Sequence, residues 1–279
     1  MSTTAADSTL FVQSFATGLA VLDAFDNERP SMNLPEIAAA VGITKSAAQR
    51  FAFTLEALGL LRKDPVSRRY SLAPRALHLG YRYLQAHSLL ERANPYLADL
   101  NRDISETVNL SEPDGNQMVY IGRFPNPARA IVYMPVGRTL PMFCSSSGRA
   151  YLSGLSDDEV LEILKTSDLV KYTKNTVIEI DAIMQMIVQA RETGYAYTVE
   201  EYYRGDLAIA APLFGPGGVP VGAVNISASV AHWTLERAIA ELVPHLFETA
   251  RLISTTPPSR HALEPFRVGY GKTEKRRKS

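Results

Sequence analysis

The sequence predicts an α+β protein in two parts: a small helical unit closed by a β-ribbon, then a larger domain in which helices and strands alternate irregularly. Three observations predict it. Apolar residues recur at three- and four-residue steps through the first sixty positions, two short strand-like runs follow, and period-two patterning returns only after residue 105. The 279 residues, 46% of them apolar and 21% charged, suffice for two domains of ordinary size and exclude a disordered or fibrous chain.

The first ten residues carry no pattern and are expected to be disordered, which places the first domain at 11–73. Val12, Phe15, Ala16, Leu19, Leu22 and Phe25 predict an amphipathic helix, stopped by Asn27–Pro30. A second helix runs from Leu34, with Pro35 early where its missing N–H costs nothing, to Gly42, which supplies a left-handed cap. Thr44 N-caps a third helix, whose buried side is Ala47, Ala48, Phe51, Leu55 and Leu58, and Gly59 ends it. Leu60–Lys63 and Arg68–Leu72, joined by the polar turn Asp64–Ser67, read as a β-ribbon.

Pro74 opens a linker helix over 74–88, and a second helix from Leu89 to Ile104 is expected to break near Asn94-Pro95. The second domain, 89–256, then offers strands at Glu106–Ser111, Met118–Arg123 and Ala130–Met134, with turns at Pro113-Asp114-Gly115 and Pro125-Asn126-Pro127. Helices follow at Ser147–Leu155, Asp157–Lys165 and Glu179–Glu192, then strands at Tyr195–Val199, Leu207–Leu213 and Val219–Ser227, and a closing helix at Leu235–Ser254. Residues 257–279 lose the apolar pattern and read as a basic disordered tail.

Net charge is zero, but its distribution is uneven: Thr44–Arg75 holds seven basic residues against two acidic, and the last twenty residues repeat that excess. One cysteine, Cys144, excludes an internal disulfide and any multi-cysteine zinc site, and suits a reducing compartment. No apolar run approaches the roughly eighteen residues of a membrane helix, and the N-terminus has no signal-peptide pattern, so a cytoplasmic protein with no membrane partner is expected.

Helix, turn, helix and basic ribbon together form the winged helix-turn-helix plan, in which the second helix of the pair enters the major groove of duplex DNA. Core packing leaves Lys45, Ser46, Gln49, Arg50 and Phe53 on the free side of the third helix, which Thr44 opens. Gln49 is the candidate base reader, because its amide pairs with adenine through two hydrogen bonds. Lys45, Ser46 and Arg50 can hold phosphates and set register, and Arg68 and Arg69 suit a wing tip.

Several segments then resemble, in order, the IclR family of bacterial transcription regulators. Gly18–Phe25 resembles its first helix, Leu34–Ala38 and Gly42–Arg50 its helix-turn-helix, and Leu58–Leu61 with Arg69–Leu72 its wing. Glu106–Val108, Val119–Ile121, Gly137–Pro141, Ser147–Ala150, Gly194–Ala196, Glu200-Glu201 and Ile209–Pro212 resemble its effector-binding domain. The resemblance implies a GAF-like α+β fold for that domain, a palindromic operator, self-association as a dimer or dimer of dimers, and response to a small organic acid.

The same resemblance places the effector site. Family members that bind small oxo acids hold the carboxylate on loop amides before the Ser-Gly-Lys/Arg-Ala helix, aided by an acid, a cysteine and two serines. Those positions fall here on Ser146 and Ser147, on Thr198, on Ala208, and on Asn225 and Ser227. The loop keeps its chemistry, since helix-start amides bind anions and the hydroxyls of Ser145, Ser146 and Ser147 add donors. Loss of the acid and the thiol, with Tyr133, Met134, Met142 and Phe143 nearby in sequence, predicts a wider apolar cavity suited to an aromatic carboxylate. The bland alternative is that these methionines and aromatics are plain core.

Two other readings compete: the second domain binds a protein partner instead of a metabolite, or the chain is a hydrolase using Cys144 or a neighbouring serine. The second lacks a Gly-x-Ser-x-Gly elbow, and His78, His87, His232, His245 and His261 show no metal-ligand spacing, so no enzyme, cofactor or metal is expected. Glu200 and Glu201 read either as pocket lining or as a solvated turn.

Overall fold

A computed structural model describes residues 8–126 and 135–255 of the chain. The expected strand Ala130–Met134, with Tyr133 and Met134, lies outside the described residues, as do residues 1–7 and the basic tail. The chain divides into two compact units, Met1–Tyr83 and Leu84–Ser279.

The first unit contains α1 (Gln13–Asp23), α2 (Leu34–Val41), α3 (Lys45–Ala57) and the antiparallel ribbon of β1 (Leu61–Lys63) and β2 (Tyr70–Leu72). Local chemistry sets each boundary. The Asn33 side chain accepts from the Glu36 N–H at 3.0 Å, and the Glu36 carboxylate accepts from the Asn33 N–H at 2.8 Å, which closes a capping box on α2. Gly42 ends that helix at φ +70°, a left-handed conformation that a side chain would strain. Two residues later Thr44 Oγ1 accepts from the Ala47 N–H at 3.2 Å and starts α3. Val21, Ile37, Ala48, Ala52, Leu55, Leu61 and Tyr70 fill the core between them.

A 3-10 turn at Pro74–Ala76 leads into α4 (Leu77–Gln85), and α5 (Ser88–Ile104) begins the second unit's packed core. The expected break at Asn94-Pro95 is absent, because α5 runs through Pro95. An interior proline costs about 3 kcal/mol. Leu89, Leu97 and Leu100 are all buried on the same face, each worth about 1.5–3 kcal/mol, so packing outweighs the lost hydrogen bond.

In the second unit β3 (Thr107–Asp114), β4 (Gln117–Phe124), β5 (Thr139–Pro141), β6 (Ala196–Val199), β7 (Asp206–Phe214) and β8 (Pro220–Ser229) form one antiparallel sheet in the order β5-β4-β3-β8-β7-β6. The β3–β4 turn falls on Gly115 and Asn116, one step later than the expected Pro113-Asp114-Gly115, because the ladder extends to the Asp114–Gln117 pair. Three-residue β5, paired to Gln117–Val119, was not expected; it is too short to show alternation.

Period-two alternation gives the sheet two faces of different chemistry. Val108, Leu110, Ile121, Leu207, Ile209, Val224 and Ile226 pack under α5 and α9 (Leu235–Thr255). The other face is covered by α6 (Ser146–Ser153), α7 (Asp157–Thr166) and α8 (Ile180–Thr193), which bury Leu152, Val160, Leu164, Ile183 and Ile187 against Met118, Ala210 and Ala223. A curled antiparallel sheet between helices is the α+β, GAF-like plan expected of this domain.

Candidate functional site

On the first unit, Lys45, Ser46, Gln49, Arg50 and Phe53 are all exposed on α3, opposite buried Ala48, Ala52 and Leu55. Arg68 stands exposed in the wing turn at φ +59°. That turn is built by Asp64, whose Oδ1 accepts from the Ser67 N–H at 2.7 Å and from the Val66 N–H at 3.1 Å. Those donors hold the Asp64 carboxyl below its ordinary range, the Ser67 backbone first.

Arg69 belongs elsewhere, and its expected place at the wing tip is corrected. Its Nη2 donates to Glu36 Oε2 at 2.6 Å and to the Ser31 carbonyl at 2.7 Å, and its Nε donates to Ser31 Oγ at 3.0 Å. A guanidinium so engaged ties β2 to the start of α2, and its fork is spent within the unit.

On the second unit, β-register assembles a pocket on the polar face of the sheet. Directly opposed residues share a face, so Arg123 of β4, Asn109 of β3, Asn225 of β8 and Ala210 of β7 form one cross-strand row. The next row sets Thr107, Ser227, Ala208 and Thr198 side by side. Ser146 and Ser147 close the opposite wall; as first-turn residues of α6 their backbone N–H groups have no acceptor within the helix. Ser145 caps that helix, donating to the Pro141 carbonyl at 2.7 Å and accepting from the Gly148 N–H at 3.2 Å. Only glycine fits at 148, since a Cβ would lie 2.3 Å from the Met142 backbone.

Thus Ser146, Ser147, Thr198, Ala208, Asn225 and Ser227 do line one cavity. Met142 does not; it is fully buried in the core beneath α6, because its backbone passes under Gly148. Sequence reasoning missed Asn109, Tyr120, Arg123, Tyr202, Tyr203 and Asp206, which line the same space. The available signal was a polar residue alternating with apolar ones inside a strand, as in Val108-Asn109-Leu110 and Val224-Asn225-Ile226.

These residues overturn the expectation of a wide apolar cavity. The cavity measures only about 20 Å³, close to the room one water needs. Arg123 Nη1 donates to Asn109 Oδ1 at 2.9 Å, and Ser227 Oγ donates to Asp206 Oδ1 at 2.5 Å. Asn109 Nδ2 and Asn225 Oδ1, one donor and one acceptor on residues that line the cavity, are buried without a hydrogen-bond partner. Burial pushes the Asp206 carboxyl up to about 6, with the Ser227 hydroxyl and then the Arg123 charge opposing it. Burial likewise raises the Tyr120 phenol.

Tyr202 and Tyr203 also line the cavity, packed edge to face with ring centroids 4.5 Å apart, and Tyr172 stands 4.6 Å from Tyr202. They ride on the turn between β6 and β7, which Glu201 anchors. Both Glu201 oxygens accept from the guanidinium of Arg149 at 2.6 Å, with both side chains buried. Glu201 therefore neither lines this cavity nor stands in solvent. Burial pushes the Cys144 thiol up to about 12, and no histidine is among the residues lining the cavity.

Residues 16–65 match the IclR helix-turn-helix domain, and residues 81–255 match the bacterial transcriptional regulator IclR C-terminal domain. The chain belongs to the IclR family. It is 31% identical to the Pca regulon regulatory protein of Pseudomonas putida over 242 residues, 86% of this chain and 82% of that one. Among solved structures, a transcriptional regulator, RHA06195, from Rhodococcus sp. RHA1 matches with a TM-score of 0.76 at 36% identity, covering 88% of this chain and 97% of that one. An IclR homologue of Microbacterium hydrocarbonoxydans, complexed with 4-hydroxybenzoate, shares the fold with a TM-score of 0.73 at 22% identity, over 87% and 98% of the two chains. As an IclR-family member this chain is a DNA-binding transcriptional regulator, and its curated relatives are transcriptional regulators. Among the described residues no helix is long and apolar enough to cross a membrane.

Proposed function

We propose that the second unit senses a small organic acid of the aromatic carboxylate class and that its occupancy changes operator binding by the first. The observation that carries this reading is the pair of orphaned polar atoms, Asn109 Nδ2 and Asn225 Oδ1, in a cavity that also holds the N-terminus of α6. A carboxylate takes the Ser146 and Ser147 amides. A ring hydroxyl, which both donates and accepts, answers the two asparagines. Tyr202 and Tyr203 supply flat apolar walls for the ring, and they must part to admit it, since the closed cavity holds about one water.

On the DNA side, α3 enters the major groove with Gln49 on base edges, while Lys45, Ser46, Arg50 and Arg68 hold phosphates near the Thr44 cap. One such helix contacts too few bases for a useful specificity ratio, so two heads on a palindromic operator are the economical arrangement. Exposed apolar residues, Phe15 and Leu19 of α1 and Leu77 of α4, support self-association as a dimer or dimer of dimers. An effector that favours one arrangement of the heads changes operator affinity about 5–150-fold.

The test is thermal shift of the full-length protein with benzoate, hydroxybenzoates and short oxo acids, repeated on Ser146→Ala and Asn225→Ala. At 100 times its Kd a ligand adds about 2.7 kcal/mol. Stabilisation by hydroxybenzoates, reduced in both variants, is expected. Stabilisation by oxo acids alone overturns the aromatic class, and no response to any acid favours the reading in which this unit binds a protein partner.

A further inference from the structure

Phe53 is the anomaly of the α3 face. It is 69% exposed, stands four residues after Gln49 and seven after Ser46, and so lies on the same side of the helix, about one turn beyond Gln49. The ring adds nothing to the core of Val21, Ile37, Ala48, Ala52 and Leu55. An open phenyl group on an otherwise polar helix face is free to make an apolar contact there.

The surroundings name the partner. Lys45 and Arg50 are exposed on the same helix, toward its N-terminus from the ring. A protein surface seated there would strip water from both cations, whereas duplex DNA brings phosphates to them. Within the major groove thymine alone presents an apolar group, the C5-methyl, and phenylalanine is among the side chains that contact it. We infer that Phe53 is a specificity-determining residue that packs on a thymine methyl one helical turn beyond the base read by Gln49. This rests on the assignment of α3 as the recognition helix and adds a direct apolar contact to it.

The experiment uses full-length protein and selects binding sites from a random duplex library. Each thymine of the selected site is then replaced singly by deoxyuridine, which removes only the methyl. Wild type is expected to lose about fourfold in affinity at one thymine per half-site, the worth of one buried methyl group. Phe53→Ala should bind the methylated and unmethylated sites equally, and Phe53→Leu should restore part of the difference. Phe53→Ala folds, since the ring is outside the core, and its affinity for random duplex should match wild type. Wild type indifferent to every thymine-to-uracil change, or Phe53→Ala retaining the wild-type sensitivity, overturns the proposal alone, provided Gln49→Ala still relaxes base choice. If selection returns no motif, or Gln49→Ala loses equally on selected and random DNA, the recognition-helix reading fails and Phe53 with it.

Discussion

Arg149 and Glu201, 52 residues apart, meet as a buried bidentate pair with both N–O distances at 2.6 Å. The pair joins the helix whose first turn lines the pocket to the turn that carries its lining residues Tyr202 and Tyr203. Arg149 also donates from Nε to the Phe143 carbonyl at 2.8 Å, so three segments meet on one guanidinium. Glu201 in turn accepts through its own carbonyl from Thr176 Oγ1 at 2.6 Å, which brings in a fourth. The geometry of the pocket therefore depends on a residue that does not line it.

Arg149→Met should remove about 3–5 kcal/mol of stability, because it leaves a buried carboxylate unpaired. The double variant Arg149→Met, Glu201→Leu should recover most of that in chemical denaturation. It should still respond poorly to acids, since the α6 N-terminus loses its tether to the tyrosine turn. A double variant no more stable than the single would show that the Phe143 and Thr176 contacts matter more than the ion pair.

Asp206 makes stability and binding depend on pH. Its folded value, raised to about 6 by burial, exceeds that of an unfolded aspartate, so the folded chain binds the proton more tightly. This contribution is fully present below the unfolded value near 4 and is lost as pH rises through about 6. Asp206→Asn should therefore stabilise the protein relative to wild type at pH 8 more than at pH 4, in melting curves across that range. Acid ligands should bind wild type more tightly below pH 6, where Asp206 is neutral, and Asp206→Asn should flatten that dependence. Parallel melting curves for the two proteins would contradict it.

The two neighbouring arginines of the wing should separate cleanly. Arg68→Ala should weaken binding to all sequences and lower the slope of log affinity against log salt by about 1. Arg69→Ala should leave that slope nearly unchanged and cost at most about 1 kcal/mol of stability, because its partly exposed pair with Glu36 is screened by water. Equal slope changes for both would return Arg69 to the DNA face.

The first unit was legible in the sequence because its determinants are local. Gly42 and Thr44 announce themselves by residue type next to the helices they bound, and Ala48, Ala52 and Leu55 show their common face through three- and four-residue spacing. Arg69 escaped that logic: its partners Ser31 and Glu36 lie more than thirty residues away and become neighbours only when β2 folds back on α2. Pro95 misled for the opposite reason, a local breaker overruled by burial against a distant sheet.

The sequence alone determined the two-part α+β plan, the recognition helix with its free face, and the serines at the start of α6. The plan and the helix face rest on capping and periodicity, which act within a few residues, whereas the serines were placed by the resemblance to the IclR family. Tertiary structure alone added Asn109, Tyr120, Arg123 and Asp206 to the pocket and brought its polar groups together. Asn109 and Asn225 stand opposite each other because β3 pairs with β8, and Asp206 reaches Ser227 because β7 lies beside it. Cross-strand register joins residues separated by a hundred positions and carries no local signature, so the polarity of the cavity follows from the sheet's pairing and not from any one segment of the chain.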